Sequence, residues 1–165
     1  MELRIREMNS QDWLRVAEIY EAGIKTELST FQSEIPSWED WDRGHLSSCR
    51  IVALAEDKVV GWAALSAFSP REVFRGVAEE SVYIAEEFKG RGIGKMLMNF
   101  LIEESEKAGF WTLMARIISE NNASIELHKK CGFREVGFRE KIGRMKNGRW
   151  HDVVVMERRS KKVGV

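Results

Sequence analysis

Three glycines on alternate positions, in Lys89-Gly90-Arg91-Gly92-Ile93-Gly94-Lys95, constrain this chain more than any other stretch. The run follows a strand-like segment, Ser81-Val82-Tyr83-Ile84, and opens an amphipathic helix near Ile93. Glycine lets the backbone turn tightly and leaves several N–H groups exposed. Those donors, the positive end of the following helix dipole and two or three cationic side chains make a site for phosphate oxygens. Two nucleotide motifs are excluded. A Walker loop needs a glycine five residues before Gly94 and a hydroxyl residue after the lysine, whereas Lys89 and Met96 stand there. A dinucleotide fingerprint needs G-x-G-x-x-G, and the spacing here is G-x-G-x-G. The loop is therefore expected to hold a pyrophosphate of another kind, the alternative being a strand-to-helix connection without a ligand.

The segments around this loop predict one α/β domain over residues 1–165 with a mixed, largely antiparallel sheet. Leu3 to Arg6 reads as a first strand, and Ser10 caps a helix from Gln11 to about Thr26. Pro36-Ser37 starts a second helix containing Trp38 and Trp41. Arg50 to Ala55 and Val59 to Ser66 form a hairpin around Glu56-Asp57-Lys58, and Val77 to Ile84 is the next strand. Ile93 to Ala108 carries a helical stripe at Leu97, Phe100, Leu101 and Ser105. Trp111 to Ile118 is a strand, Asn122 to Lys130 a helix ended by Gly132, and Phe133 to Glu140 and Trp150 to Arg158 are two further strands. Lys+Arg and Asp+Glu both number 26, and that neutrality argues against nucleic acid as a partner. Two cysteines, Cys49 and Cys131, make no disulfide framework and match no zinc spacing. No apolar run approaches a membrane span and the charged amino terminus is not a signal peptide, so cytoplasmic residence is expected. Arg158 to Lys162 reads as the start of a solvated tail.

The order of elements, the glycine loop and the run from Asn121 to Phe133 together resemble the GNAT acetyltransferase superfamily over nearly the whole chain. Val77 to Ile84 and Gly148-Arg149-Trp150-His151-Asp152-Val153 narrow the resemblance to the phosphinothricin and methionine-sulfoximine acetyltransferase family. What it implies is the GNAT fold, with splayed strands at the acetyl-CoA site, and acetyl transfer from acetyl-CoA to a primary amine of a small molecule, without a metal. Residue by residue, Val82, Tyr83 and Ile84 match the strand whose backbone pairs with the pantetheine arm, while their side chains suit a core strand. Gly90, Arg91, Gly92, Ile93, Gly94 and Lys95 match the pyrophosphate loop, and Asn121 the asparagine farther along the cofactor.

An aliphatic amine with a pKa of roughly 8 or above is mostly protonated near neutrality, so a base must remove its proton. Glu79 matches the family's catalytic glutamate; Glu80 is the competitor, and strand alternation sets the two on opposite faces. His128 stands where many superfamily members have the tyrosine assigned to protonate the departing CoA thiolate. An imidazole there either donates to the sulfur or packs behind the cofactor. Cys131 reads as a packing residue rather than a nucleophile. For an amino-acid acceptor, Arg71 and Arg75 are expected to supply the cation for its carboxylate. Thr30-Phe31, with Trp38 and Trp41, come from the segment that walls the acceptor pocket, the tryptophans reading better as helix packing. Acetylation of protein amino termini or of a polyamine is an alternative, as is a non-catalytic acyl-CoA sensor. The family resemblance also implies a homodimer, to which the apolar strand from Trp150 to Glu157 is expected to contribute.

Overall fold

Alternating apolar segments build a run of four antiparallel strands in the first half of the chain, with two helices inserted between the first strand and the second. The computed structural model describes all residues, 1–165. Strands β1 (Leu3–Glu7), β2 (Ile51–Ala55), β3 (Lys58–Ala67) and β4 (Val77–Ile84) lie side by side and antiparallel. The hairpin between β2 and β3 turns on Glu56 and Asp57, both at positive φ (48° and 68°), the twist that a two-residue hairpin loop requires. Helix α3 (Ile93–Lys107) then crosses over and returns the chain as β5 (Thr112–Ile118), parallel to β4. Helix α4 (Asn122–Lys130) leads to β6 (Arg134–Arg144) and β7 (Trp150–Arg159), and the sheet runs β1-β2-β3-β4-β5-β7-β6. One pairing of six is parallel, as the sequence predicts for a mixed, largely antiparallel sheet.

Period-two alternation sorts the strand residues between two cores. On one face Ala63, Leu65, Ala78, Ala115, Val154 and Met156 pack against Leu97, Met98 and Leu101 of α3. On the other, Val52, Leu54, Trp62 and Ala64 meet Val16 and Ile19 of α1 (Trp13–Lys25) and Trp41 of α2 (Trp38–Gly44). Each buried valine, leucine, isoleucine or methionine side chain among them contributes on the order of 1.5–3 kcal/mol. The expected tryptophan packing is present: Trp13, Trp38, Trp41 and Trp62 form one aromatic cluster.

Three boundaries differ from the sequence reading. The first helical segment is capped by Asn9 rather than Ser10, because Asp12 completes a capping box with the Asn9 backbone and is itself held by Arg6. Strand β6 continues to Arg144 through a register irregularity between Arg139 and Gly143, where Lys141 adopts a positive φ of 44°. The tail is docked rather than wholly solvated. Ser160 is buried and donates to Glu106 at 2.5 Å, Arg159 donates to the carbonyls of Val163 and Gly164, and Lys161 and Lys162 stay exposed.

One irregularity positions the site. Strands β4 and β5 pair only from Val77–Thr112 to Glu79–Met114, then part. Beyond Glu79 the β4 backbone keeps β3 on one side and has no strand partner on the other. An edge of this kind accepts a ligand's amides as an added strand would.

Candidate active site

At the carboxyl end of β4 the glycine loop adopts the geometry that its composition demands. Gly90 and Gly92 sit at φ 76° and 82°, and a Cβ on either would meet nothing within 4 Å. Their glycine character thus serves the backbone turn and leaves open space beside it. Gly92 is the left-handed N-cap of α3, whose first helical bond runs from the Met96 N–H to the Gly92 carbonyl. The N–H groups of Ile93, Gly94 and Lys95 therefore have no partner within the helix and point out of its positive end. Gly94 does something different: a Cβ there would come within 3.2 Å of Leu127, so it lets α3 approach α4. The Ile93 side chain is buried in the core, which leaves only its backbone for a ligand. Lys89 pairs with Glu86 at 2.7 Å, and the Arg91 guanidinium lies over Phe88 at 5.0 Å.

The neighbouring carboxylates of β4 divide between the sheet faces as alternation requires. Glu80 turns toward the α3–α4 core, where it is buried against the Nε2 of His128. The other ring nitrogen, Nδ1, lies 2.6 Å from the Ser124 carbonyl, which only accepts, so Nδ1 carries a proton. Nε2 faces a Glu80 oxygen, so a proton carried there is donated to the carboxylate. Burial works against a charged imidazole here, but the Glu80 carboxylate outweighs it and raises the His128 pKa above its ordinary value. Both ring nitrogens are thus engaged, and His128 stands on the face opposite Glu79. The arrangement is that of a buried, packed histidine with no ring N–H left free. Cys131, on the same side, is buried and its thiol is pushed up by that burial, in keeping with packing.

Glu79 turns to the other face, at the point where β4 and β5 part. Both of its oxygens accept from Arg116 of β5, with Nη2 to Oε1 at 2.9 Å and the second bond from Nε to Oε2. This pair raises the arginine pKa and leaves the carboxylate about one quarter exposed, with side-chain accessibility of 23%. Along β4, Tyr83 stacks on Trp62 at 4.9 Å and meets Tyr20 of α1 at 5.0 Å; burial drives its phenol pKa upward. Val82 and Ile84 pack toward the α3 core, so these residues are core strand by their side chains while their backbone borders the gap.

Across the gap, Asn121 uses both ends of its amide. Its oxygen caps α4 at the Ser124 N–H, and its nitrogen donates to the Leu28 carbonyl, each at 3.2 Å. It thereby ties α4 to the segment that carries Phe31. Phe31 stands edge-on to His151 at 6.3 Å and fills the space over Gly143, where a Cβ would lie 2.3 Å from its ring. His151 is buried, is held through Nδ1 by Glu120 at 2.7 Å, and keeps an Nε2 without a hydrogen-bond partner.

The expected arginines do not join this group. Arg71 lies over Phe74 at 5.9 Å, and Arg75 lies over Trp111 at 5.4 Å, beside Glu72. Trp111 precedes the first β5 pair and lies about 10 Å down the strand from the level of Glu79, at three residues of strand rise. The cation that does meet Glu79 is Arg116. One signal for it was present in the sequence: it is the only charge in the strand Thr112-Leu113-Met114-Ala115-Arg116-Ile117-Ile118.

Comparison with known proteins agrees with this geometry. The sequence profile of the family described as Acetyltransferase (GNAT) family matches residues 10–133. A phosphinothricin N-acetyltransferase of Alcaligenes faecalis is 32% identical over 161 residues, covering 93% of this chain and 81% of that protein. An L-methionine sulfoximine/L-methionine sulfone acetyltransferase of Pseudomonas aeruginosa is 39% identical over 103 residues, which span 62% of this chain and 59% of that protein. Among solved structures, a GNAT superfamily phosphinothricin acetyltransferase from Sinorhizobium meliloti in complex with acetyl-CoA superposes with a TM-score of 0.88 at 29% identity, over 99% of this chain and 91% of that one. The parted strands, the open glycine turn and the free amides at the start of α3 suit acetyl-CoA as co-substrate. The chain belongs to the acetyltransferase (GNAT) family, as an N-acetyltransferase of the phosphinothricin acetyltransferase type.

Proposed function

We propose that this enzyme acetylates the primary amine of a small amino acid or analogue, of the phosphinothricin or methionine sulfoximine/sulfone type, with Glu79 as general base. The observation that carries the reading is the Glu79 carboxylate, reachable from solvent at the parting of β4 and β5. Bound acetyl-CoA supplies the thioester carbonyl that the amine attacks as CoA leaves. The N–H groups of Ile93, Gly94 and Lys95, with the turn at Gly90-Arg91-Gly92, hold the pyrophosphate, and the β4 backbone at Val82-Tyr83-Ile84 takes the pantetheine amides. Asn121 keeps the acceptor wall, with Phe31, in register with α4. Glu79 binds the ammonium and takes its proton, directly or through one water.

Arg116 beside Glu79 speaks against a polyamine acceptor, since a second cation at the amine repels a polycation. An acyl-CoA sensor without turnover has no need of a carboxylate at this position. The deciding experiment is a panel of phosphinothricin, methionine sulfoximine, methionine sulfone, free amino acids and amino-terminal peptides with acetyl-CoA. Acetylation of peptides alone would replace the small-molecule reading, and binding of CoA with no turnover on any amine would replace the enzyme reading.

Gly92→Ala is expected to weaken acetyl-CoA about tenfold in calorimetry. A Cβ at φ 82° costs on the order of 1–2 kcal/mol of backbone energy, and relaxing it turns the α3 amides off the phosphate. The proposal includes a homodimer. The apolar residues of β7 are consumed by the chain's own core, with Val153, Val154 and Met156 buried, whereas the edge strand β6 exposes Val136, Phe138 and Ile142 beside Trp150 of β7. A second copy is assigned to this face. Light scattering that returns the mass of one 19.0 kDa chain would remove that assignment. Two unpaired thiols, Cys49 and Cys131, suit a cytoplasmic setting.

A further inference from the structure

The geometry points to Arg116 as the residue that anchors the acceptor's carboxylate and so selects α-amino acids over plain amines. The inference rests on the amino-acid reading above and names the side chain that enforces it. Arg116 follows the last β4–β5 pair, at Met114, by two residues, so it lies on the same sheet face as Glu79 and reaches it across the opening. Glu79 occupies one edge of the guanidinium, the Nε and Nη2 hydrogens. A guanidinium carries five N–H donors. The outer edge, formed by Nη1 and the second Nη2 hydrogen, has no partner, and the side chain is 60% exposed. That edge is a two-pronged fork of the shape that takes a carboxylate bidentately.

A free α-amino acid carries an ammonium and a carboxylate on the same carbon. Glu79 Oε1 and Arg116 Nη2 are adjacent at 2.9 Å, so one zwitterion spans the pair, ammonium on Glu79 and carboxylate on the outer edge of Arg116. The ion pair need not break. Its exposure means that it contributes little to stability, so the fold does not account for a lone charge in an otherwise uncharged strand. Arg71 and Arg75 are turned onto Phe74 and Trp111, which leaves Arg116 as the arginine next to the proposed base. Because Arg116 also fixes both oxygens of Glu79, it directs that carboxylate toward the amine of a substrate held by its other edge.

The test compares methionine sulfone with its carboxylate-free counterpart, 3-(methylsulfonyl)propylamine, on the native enzyme, Arg116→Met and Arg116→Lys. The native enzyme is expected to favour the amino acid by about 100-fold in kcat/KM, the scale of one charge-assisted bidentate contact. Arg116→Met should bring that ratio to within about threefold, through a KM that rises for the amino acid and not for the amine, while the loss of the partner that orients Glu79 lowers kcat for both substrates alike. Arg116→Lys keeps the charge without the fork and should fall between the two. A merely structural arginine would lower both substrates together and leave the ratio intact; that result overturns the inference while the amino-acid reading stands. If the native enzyme shows no preference for the carboxylate, the amino-acid reading and the anchor fall together.

Discussion

Glu79→Gln is expected to lower kcat for methionine sulfone by about 10²–10⁴-fold at neutral pH, the range typical of losing a positioned base. Acetyl-CoA affinity should stay within about twofold, because Glu79 faces away from the glycine turn and from the α3 amides. Stability should move by no more than about 1 kcal/mol, since Arg116 is already more than half exposed and its pairing is screened by water. The pH dependence separates a base from a binding group. An amine with a pKa of roughly 8 or above is mostly protonated at pH 7 and becomes its own free nucleophile as the pH rises. The deficit of Glu79→Gln should therefore shrink between about pH 7 and pH 9.5. Steady-state rates of native and variant enzyme across that range decide the matter. Equal kcat values at every pH would remove Glu79 as the base, and a constant deficit would make it an ammonium-binding group only.

His128→Ala should have the largest effect on folding, a loss of about 3–5 kcal/mol by chemical denaturation, as for a buried pair that loses one partner. The imidazole and Glu80 are both buried beneath α4, and removing the ring strands a carboxylate there without its counter-group. Replacing both, as in Glu80→Met with His128→Leu, should recover most of the loss, because an apolar pair carries no desolvation penalty. The sign with pH follows from the raised folded-state pKa of His128. Its contribution is fully present below the unfolded value of about 6.5 and disappears as pH rises through the higher folded value. The native melting temperature should accordingly decline as pH rises above about 6.5, and the decline should be absent in the double variant. A single variant as stable as the native chain would show that Glu80 finds another partner.

Much of this site was readable before folding. Strand β4 has its expected limits, Val77–Ile84, since alternation and flanking turn residues are local signals. The glycine turn, the start of α3 and the α4 span Asn122–Lys130 followed from residues within one or two helical turns of each other. Alternation also separated Glu79 from Glu80. It did not tell which of them meets the opening, because that depends on where β4 and β5 stop pairing, and their pairing partners are more than thirty residues apart. The same long-range register brought Arg116 onto Glu79 and His128 onto Glu80, and turned Arg75 onto Trp111. Charge partners of this kind leave no periodic trace in a sequence; they are chosen by strand order and by the crossover of α3. By itself the sequence determined a glycine turn on a strand–helix junction and a pair of carboxylates on opposite faces. Tertiary structure alone decided which carboxylate is exposed and which is buried, since that follows from the one place where the sheet opens.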